Sequence, residues 1–80
     1  MANLTPTACF RAAVISGLPT GWEYSEAAHG FFGPDLVHVE AEPNRTKVGW
    51  CWLAFNADMD WQNFPANKLS EAMAWASTKK

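Results

Sequence analysis

The stretch Lys47-Val48-Gly49-Trp50-Cys51-Trp52-Leu53-Ala54-Phe55-Asn56 decides how this chain folds. Read as a strand, its side chains alternate between two faces. Val48, Trp50, Trp52 and Ala54 then share one side, and Gly49, Cys51, Leu53 and Phe55 share the other. Neither side is polar. Such a strand needs cover on both faces, or cover on one and a partner on the other.

Working upstream, Leu36 to Glu42 alternates cleanly, with Leu36, His38, Glu40 and Glu42 on one face and Val37, Val39 and Ala41 on the other. Pro43-Asn44-Arg45-Thr46 reads as a tight turn that makes a hairpin with the Trp-rich strand. Trp22 to Ala27 alternates as a half-buried strand does, and His29 to Asp35 reads as a connection with two turn signals. At the N-terminal side, Thr5 is a fitting helix cap, Pro6 suits the first helical position and Gly17 suits the stop. Cys9, Phe10, Ala13 and Val14 fall on one stripe of that helix. Downstream, Asn56 to Asn63 reads as irregular. A closing helix starts at Pro65 or Asn67, with Leu69, Ala72, Met73 and Ala76 on one stripe and Trp75 beside it. The expected fold is α+β: one domain over residues 1–80, in the order αβββα, with a three-stranded antiparallel sheet and both helices on one of its faces.

Five Trp, five Phe and one Tyr among 80 residues give the small core its apolar mass. The longest apolar run falls well short of the roughly 20 residues that span a bilayer, so no membrane association is expected. Met1 to Pro6 has neither a basic start nor a long apolar core, and a cytoplasmic location is the expectation. Cys9 and Cys51 are too few for a disulfide framework and read as small buried hydrophobes.

Chemistry-bearing patterns are sparse. His29 and His38 have no Cys, Asp or Glu at a zinc-like spacing, and Asp58 and Asp60 lack the ligand series of a calcium loop. Ser16, Ser25, Ser70 and Ser77 have no nucleophile setting, and no Gly-rich phosphate loop occurs. The expectation is therefore no catalytic residue, no metal and no cofactor. His38 shares its strand face with Glu40 and Glu42, a local pairing rather than an active site.

The net charge of −2 hides an asymmetry. Between Ala12 and Asn44 stand Glu23, Glu26, Asp35, Glu40 and Glu42 with no Lys or Arg, while Arg11, Arg45, Lys47, Lys68, Lys79 and Lys80 lie outside that span. Acids without interleaved bases set up a negative field on any surface they share.

The αβββα order resembles that of double-stranded-RNA-binding domains, and Gly33-Pro34-Asp35 falls where that family carries a Gly-Pro turn between its first two strands. The resemblance implies contacts to RNA phosphates and riboses through lysines at the start of the second helix. The corresponding segment here, Asn67-Lys68-Leu69-Ser70-Glu71, carries one Lys and a Glu. Phosphate binding rests on several cations, so direct nucleic-acid binding stands as the alternative function.

The leading expectation is a small non-enzymatic protein-binding module that inhibits or modulates a larger protein or nucleoprotein complex through a basic surface of that partner. Accessory proteins of phages and mobile elements, anti-CRISPR inhibitors among them, are small acidic domains of this general kind. The candidate partner-binding residues are Glu23, Glu26, Glu40, Glu42, Trp50 and Trp52. A homodimer through the Trp-rich strand is a further assembly that the sequence allows.

Overall fold

The caps of the first helix form as read from the sequence, whereas the closing helix starts at Leu69, later than the expected Pro65 or Asn67, and Lys68 before it makes no side-chain cap. The computed structural model describes residues 5–43 and 49–77. Helix α1 spans Pro6–Ser16, and the Thr5 hydroxyl accepts a hydrogen bond from the Ala8 amide at 3.2 Å. Gly17 ends the helix at φ 93, where its N–H donates to the Ala13 and Val14 carbonyls. The closing helix α2 spans Leu69–Ala76 and buries Ala72, Met73 and Ala76, the expected stripe.

Between the helices lies one antiparallel sheet in which every strand pairs with its sequence neighbours. Its strands are β1 (Glu23–Ser25), β2 (Gly30–Phe32), β3 (His38–Pro43), β4 (Trp50–Phe55) and β5 (Trp61–Phe64). The architecture is α+β as expected, but the sheet has five strands where three were expected, and the order αβββα is replaced by αβββββα. Two short segments account for the difference. Gly30-Phe31-Phe32, flanked by turn residues, pairs on both sides as a strand. Trp61 to Phe64 pairs with β4 and forms the far edge. The RNA-binding-domain resemblance rested on the three-strand order and loses that basis. The turn expected at Pro43 to Thr46 lies, beyond Pro43, outside the described residues.

Gly30 and Gly33 show why that segment needs glycine. A Cβ on Gly30 would collide with the backbone of β3 at Val39 and Glu40, and one on Gly33 would sit 2.6 Å from the Trp22 ring. Leu36, expected on the face of His38, lies instead in the turn before β3, at φ 67.

The core lies between the sheet and the helices. Tyr24, Phe31, Val39, Ala54 and Gln62 pair in register across all five strands on the covered face, and Ala41, Trp52 and Phe64 form the next row. Phe10 of α1 reaches this face, with ring centroids 5.0 Å from Tyr24, 5.6 Å from Phe31 and 5.8 Å from Trp52. From α2, Met73, Ala72 and Ala76 join the same core, and Trp75 tilts against Phe64 at 6.1 Å. Both helices therefore roof one side of the sheet. Among the described residues, no helix is long and apolar enough to cross a membrane.

Candidate functional site: the uncovered sheet face

Antiparallel register builds the other face directly. The pairs Glu23↔Phe32, Phe32↔His38, His38↔Phe55 and Phe55↔Trp61 run in one continuous row from edge to edge. At about 4.8 Å per strand, four steps make a row of roughly 19 Å. A second row runs Ser25, Gly30, Glu40, Leu53, Asn63, and beyond it Glu42 pairs with Cys51. No described helix packs on these side chains. Phe32 is 43% exposed and Trp61 62%, so large aromatic surface meets solvent here.

The middle of the row is ordered by ring packing. His38 stacks on Phe55 at a centroid distance of 4.4 Å and an interplanar angle of 19°, with Phe32 5.5 Å away on the other flank. Its Nε2 lies 3.2 Å from Glu40 Oε1. The face therefore combines an aromatic strip with carboxylates from Glu23, Glu40 and Glu42. Asn63 Nδ2 donates to Cys51 Sγ at 3.4 Å, tying β5 to β4 on this side.

A turn holds Trp61 at the edge. Asn56 is 2% exposed, and its side-chain oxygen accepts hydrogen bonds from the Asp58 amide at 2.9 Å and the Asp60 amide at 3.0 Å. The Asn56 amide donates to the Asp60 carbonyl at 3.0 Å, and Met59 takes a left-handed φ of 68 to complete the reversal. This places Trp61 opposite Phe55. Beside them, Glu42, Pro43, Leu53, Phe55, Trp61 and Asn63 enclose an open cleft of about 430 Å³.

The candidate residues divide sharply. Glu23, Glu40 and Glu42 lie together on the uncovered face. Glu26 lies off the sheet, exposed in the turn between β1 and β2. Trp50 and Trp52 are a correction: both are on the helix-covered side, 6% and 0% exposed, and have no surface to offer a partner. Trp52 Nε1 donates to the Ala66 carbonyl at 2.8 Å, and Trp50 packs edge-on against Trp52 at 4.9 Å. The indole on the uncovered face is Trp61, which the sequence reading placed in an irregular segment. Its alternation with Gln62, Asn63 and Phe64, closed by Pro65, was the available signal.

Charge is segregated by face as well. The described basic side chains are Arg11 of α1 and Lys68 just before α2, both on the helix side, and Lys68 pairs with Glu71 at 3.3 Å. Among the described residues, no group of three or more His, Cys, Asp or Glu is placed to hold a metal ion. Cys51 is buried and Cys9 half-buried, and burial pushes the Cys9 thiol pKa up from its ordinary value.

On the roofed side lies an apolar groove of about 460 Å³ between α1 and α2, with Leu18, Trp22, Leu69 and Met73 among its walls. No family model, curated protein or solved structure matches the chain.

Proposed function

We propose that this protein is a small non-enzymatic binding module that docks the uncovered face of its sheet onto a basic surface of a larger protein or nucleoprotein complex. One observation carries the reading: Glu23, Glu40 and Glu42 surround the row Phe32, His38, Phe55, Trp61 on a face that no described helix covers. Aromatic side chains supply anchor area at protein interfaces, and carboxylates steer a cationic partner and fix its register. A surface evolved to hold nucleic-acid phosphates has the matching charge. Occupying it would make this module an inhibitor or modulator, the role expected of phage and mobile-element accessory proteins such as anti-CRISPRs. The same acids disfavour phosphate on this face, so the nucleic-acid-binding alternative draws no support from it.

The test uses a partner isolated from host lysate and then purified. The triple variant Glu23→Lys/Glu40→Lys/Glu42→Lys should keep its circular dichroism spectrum and associate at least about tenfold more slowly at low salt, with the gap closing as ionic strength rises. An unchanged association rate, or loss of binding in Ile15→Glu on the exposed side of α1 instead, would place the interface elsewhere.

A further inference from the structure

We propose that the cleft beside β5 is a receptor for a single arginine side chain presented by the partner. This rests on the docking reading above and names the contact at its centre. The cleft has three kinds of wall. Leu53 and Pro43 are apolar, Phe55 and Trp61 are aromatic and neighbours in register, and Glu42 supplies a carboxylate. The side chain of Asn63 closes the β5 side and is itself held by Cys51.

That combination matches a guanidinium better than any other common side chain. Arginine carries an apolar stem that packs on Leu53 and Pro43, a planar cation that lies over an indole or phenyl face, and a fork of N–H donors that a carboxylate can accept in pairs. A lysine ammonium would meet the carboxylate as a point charge and use the aromatic planes less fully. An aliphatic side chain would leave Glu42 without a partner in a newly dried site, which is costly. The occupant is thus set by charge complementarity together with the shape of the walls. The chain's own Arg45 and Lys47 follow Glu42 closely in sequence, so their neutral variants are the control for a cation from the same chain.

The experiment titrates the ¹⁵N-labelled protein with two short acetylated, amidated peptides of Gly and Ser, identical except for a central arginine or its uncharged isostere citrulline. The arginine peptide should shift the Trp61 indole N–H and the Asn63 side-chain amide, saturating in the millimolar range expected of one side chain. The citrulline peptide should bind about fivefold more weakly or less, and Glu42→Gln should weaken arginine binding by a similar factor. Trp61→Ala should abolish the response at Asn63, while Arg11→Gln, on the helix side of the molecule, should leave affinity within about twofold.

Equal binding of the two peptides, indifference to Glu42→Gln, or shifts confined to other residues would overturn the assignment. So would arginine binding that occurs only in an Arg45→Gln/Lys47→Gln background, because an arginine from outside would then gain no access to the cleft of the natural chain. If the peptide fails while the triple charge reversal still slows partner association, the cleft assignment falls and the docking face stands. If both tests fail, both readings fall.

Discussion

Trp52→Ala is expected to leave the protein largely unfolded at 37 °C. Trp52 is fully buried at the centre of the covered face, within 5.8 Å of the Phe10 ring and 6.0 Å of the Phe31 ring. Truncating a buried Trp costs about 3–5 kcal/mol through lost transfer energy and the cavity left behind. The Ala66 carbonyl also loses the indole donor at 2.8 Å, which adds about 1–3 kcal/mol if no water replaces it. A domain of this size has roughly 4–12 kcal/mol of stability in all. Urea titration should show about a third of it or more gone. Trp52→Phe, which refills most of the space but not the hydrogen bond, should lose markedly less. Trp50→Ala should destabilise in the same way, because it shares the covered face. A Trp52→Ala protein that melts within about 5 °C of the parent would contradict the placement of the core.

Asn56→Ala is the second large effect, and it reaches the binding face through the backbone. The Asn56 side chain is the shared acceptor for two amides of the β4–β5 turn. Removing it strips both donors of their partner. Asp58 and Asp60 are exposed, so water recovers part of the loss, and a net cost of about 2–3 kcal/mol is expected. For a chain of this length that corresponds to roughly 10–20 °C in Tm. The consequence beyond stability is positional. With the turn loosened, Trp61 should sharpen toward a random-coil signal in the indole region of the NMR spectrum and lose its contact with Phe55. An unchanged Tm together with an unchanged Trp61 resonance would show that the turn holds its shape without this side chain.

These two residues mark what was legible in the sequence and what was not. The helices were legible because their caps and stripes are local: Thr5 and Gly17 bound α1, and Ala72, Met73 and Ala76 repeat at helical spacing. β3 was legible because polar and apolar residues alternate along it, and β4 because it is a short apolar run rich in aromatic residues after a turn signal. β2 and β5, at three and four residues, offer only a weak signal, which the turn residues on either side of them outweighed. Phe31 and Phe32 looked like turn residues between glycines, and only the close approach of β3 at Gly30 shows that the glycine serves a sheet. Which side of β4 the helices would cover was undecided, since both sides are apolar. The structure puts the larger side chains, Trp50 and Trp52, inward. Phe55 and Leu53 are left half-buried on the other side, where β5 adds Trp61. The acidic part of the site followed from sequence because Glu40 and Glu42 keep strict alternation with Val39 and Ala41. Its aromatic part depended on cross-strand register, which no single segment encodes.

The segregation that results has a physical logic. A sheet roofed on one side must expose its other side, and in a monomer that side is ordinarily polar. Here four of the five positions of one row are aromatic rings and carboxylates lie at its end and beside it, with His38 held between Phe32 and Phe55. Under the proposed docking role, like-charge repulsion between the acids disfavours self-association of the strip and their field favours a cationic surface. Exposed apolar residues also occur on α1, where Val14 is 50% and Ile15 78% exposed, beside the groove between the helices. The described residues that line the groove are uncharged and carry no comparable charge pattern.

The most direct test of the docking face is amide and indole shift mapping of the labelled protein in complex with its isolated partner. The account predicts that the changes follow the row Phe32, His38, Phe55 and Trp61 together with Glu40 and Leu53, and spare the helices. Changes centred on Val14, Ile15 and Leu18, with that row undisturbed, would contradict it.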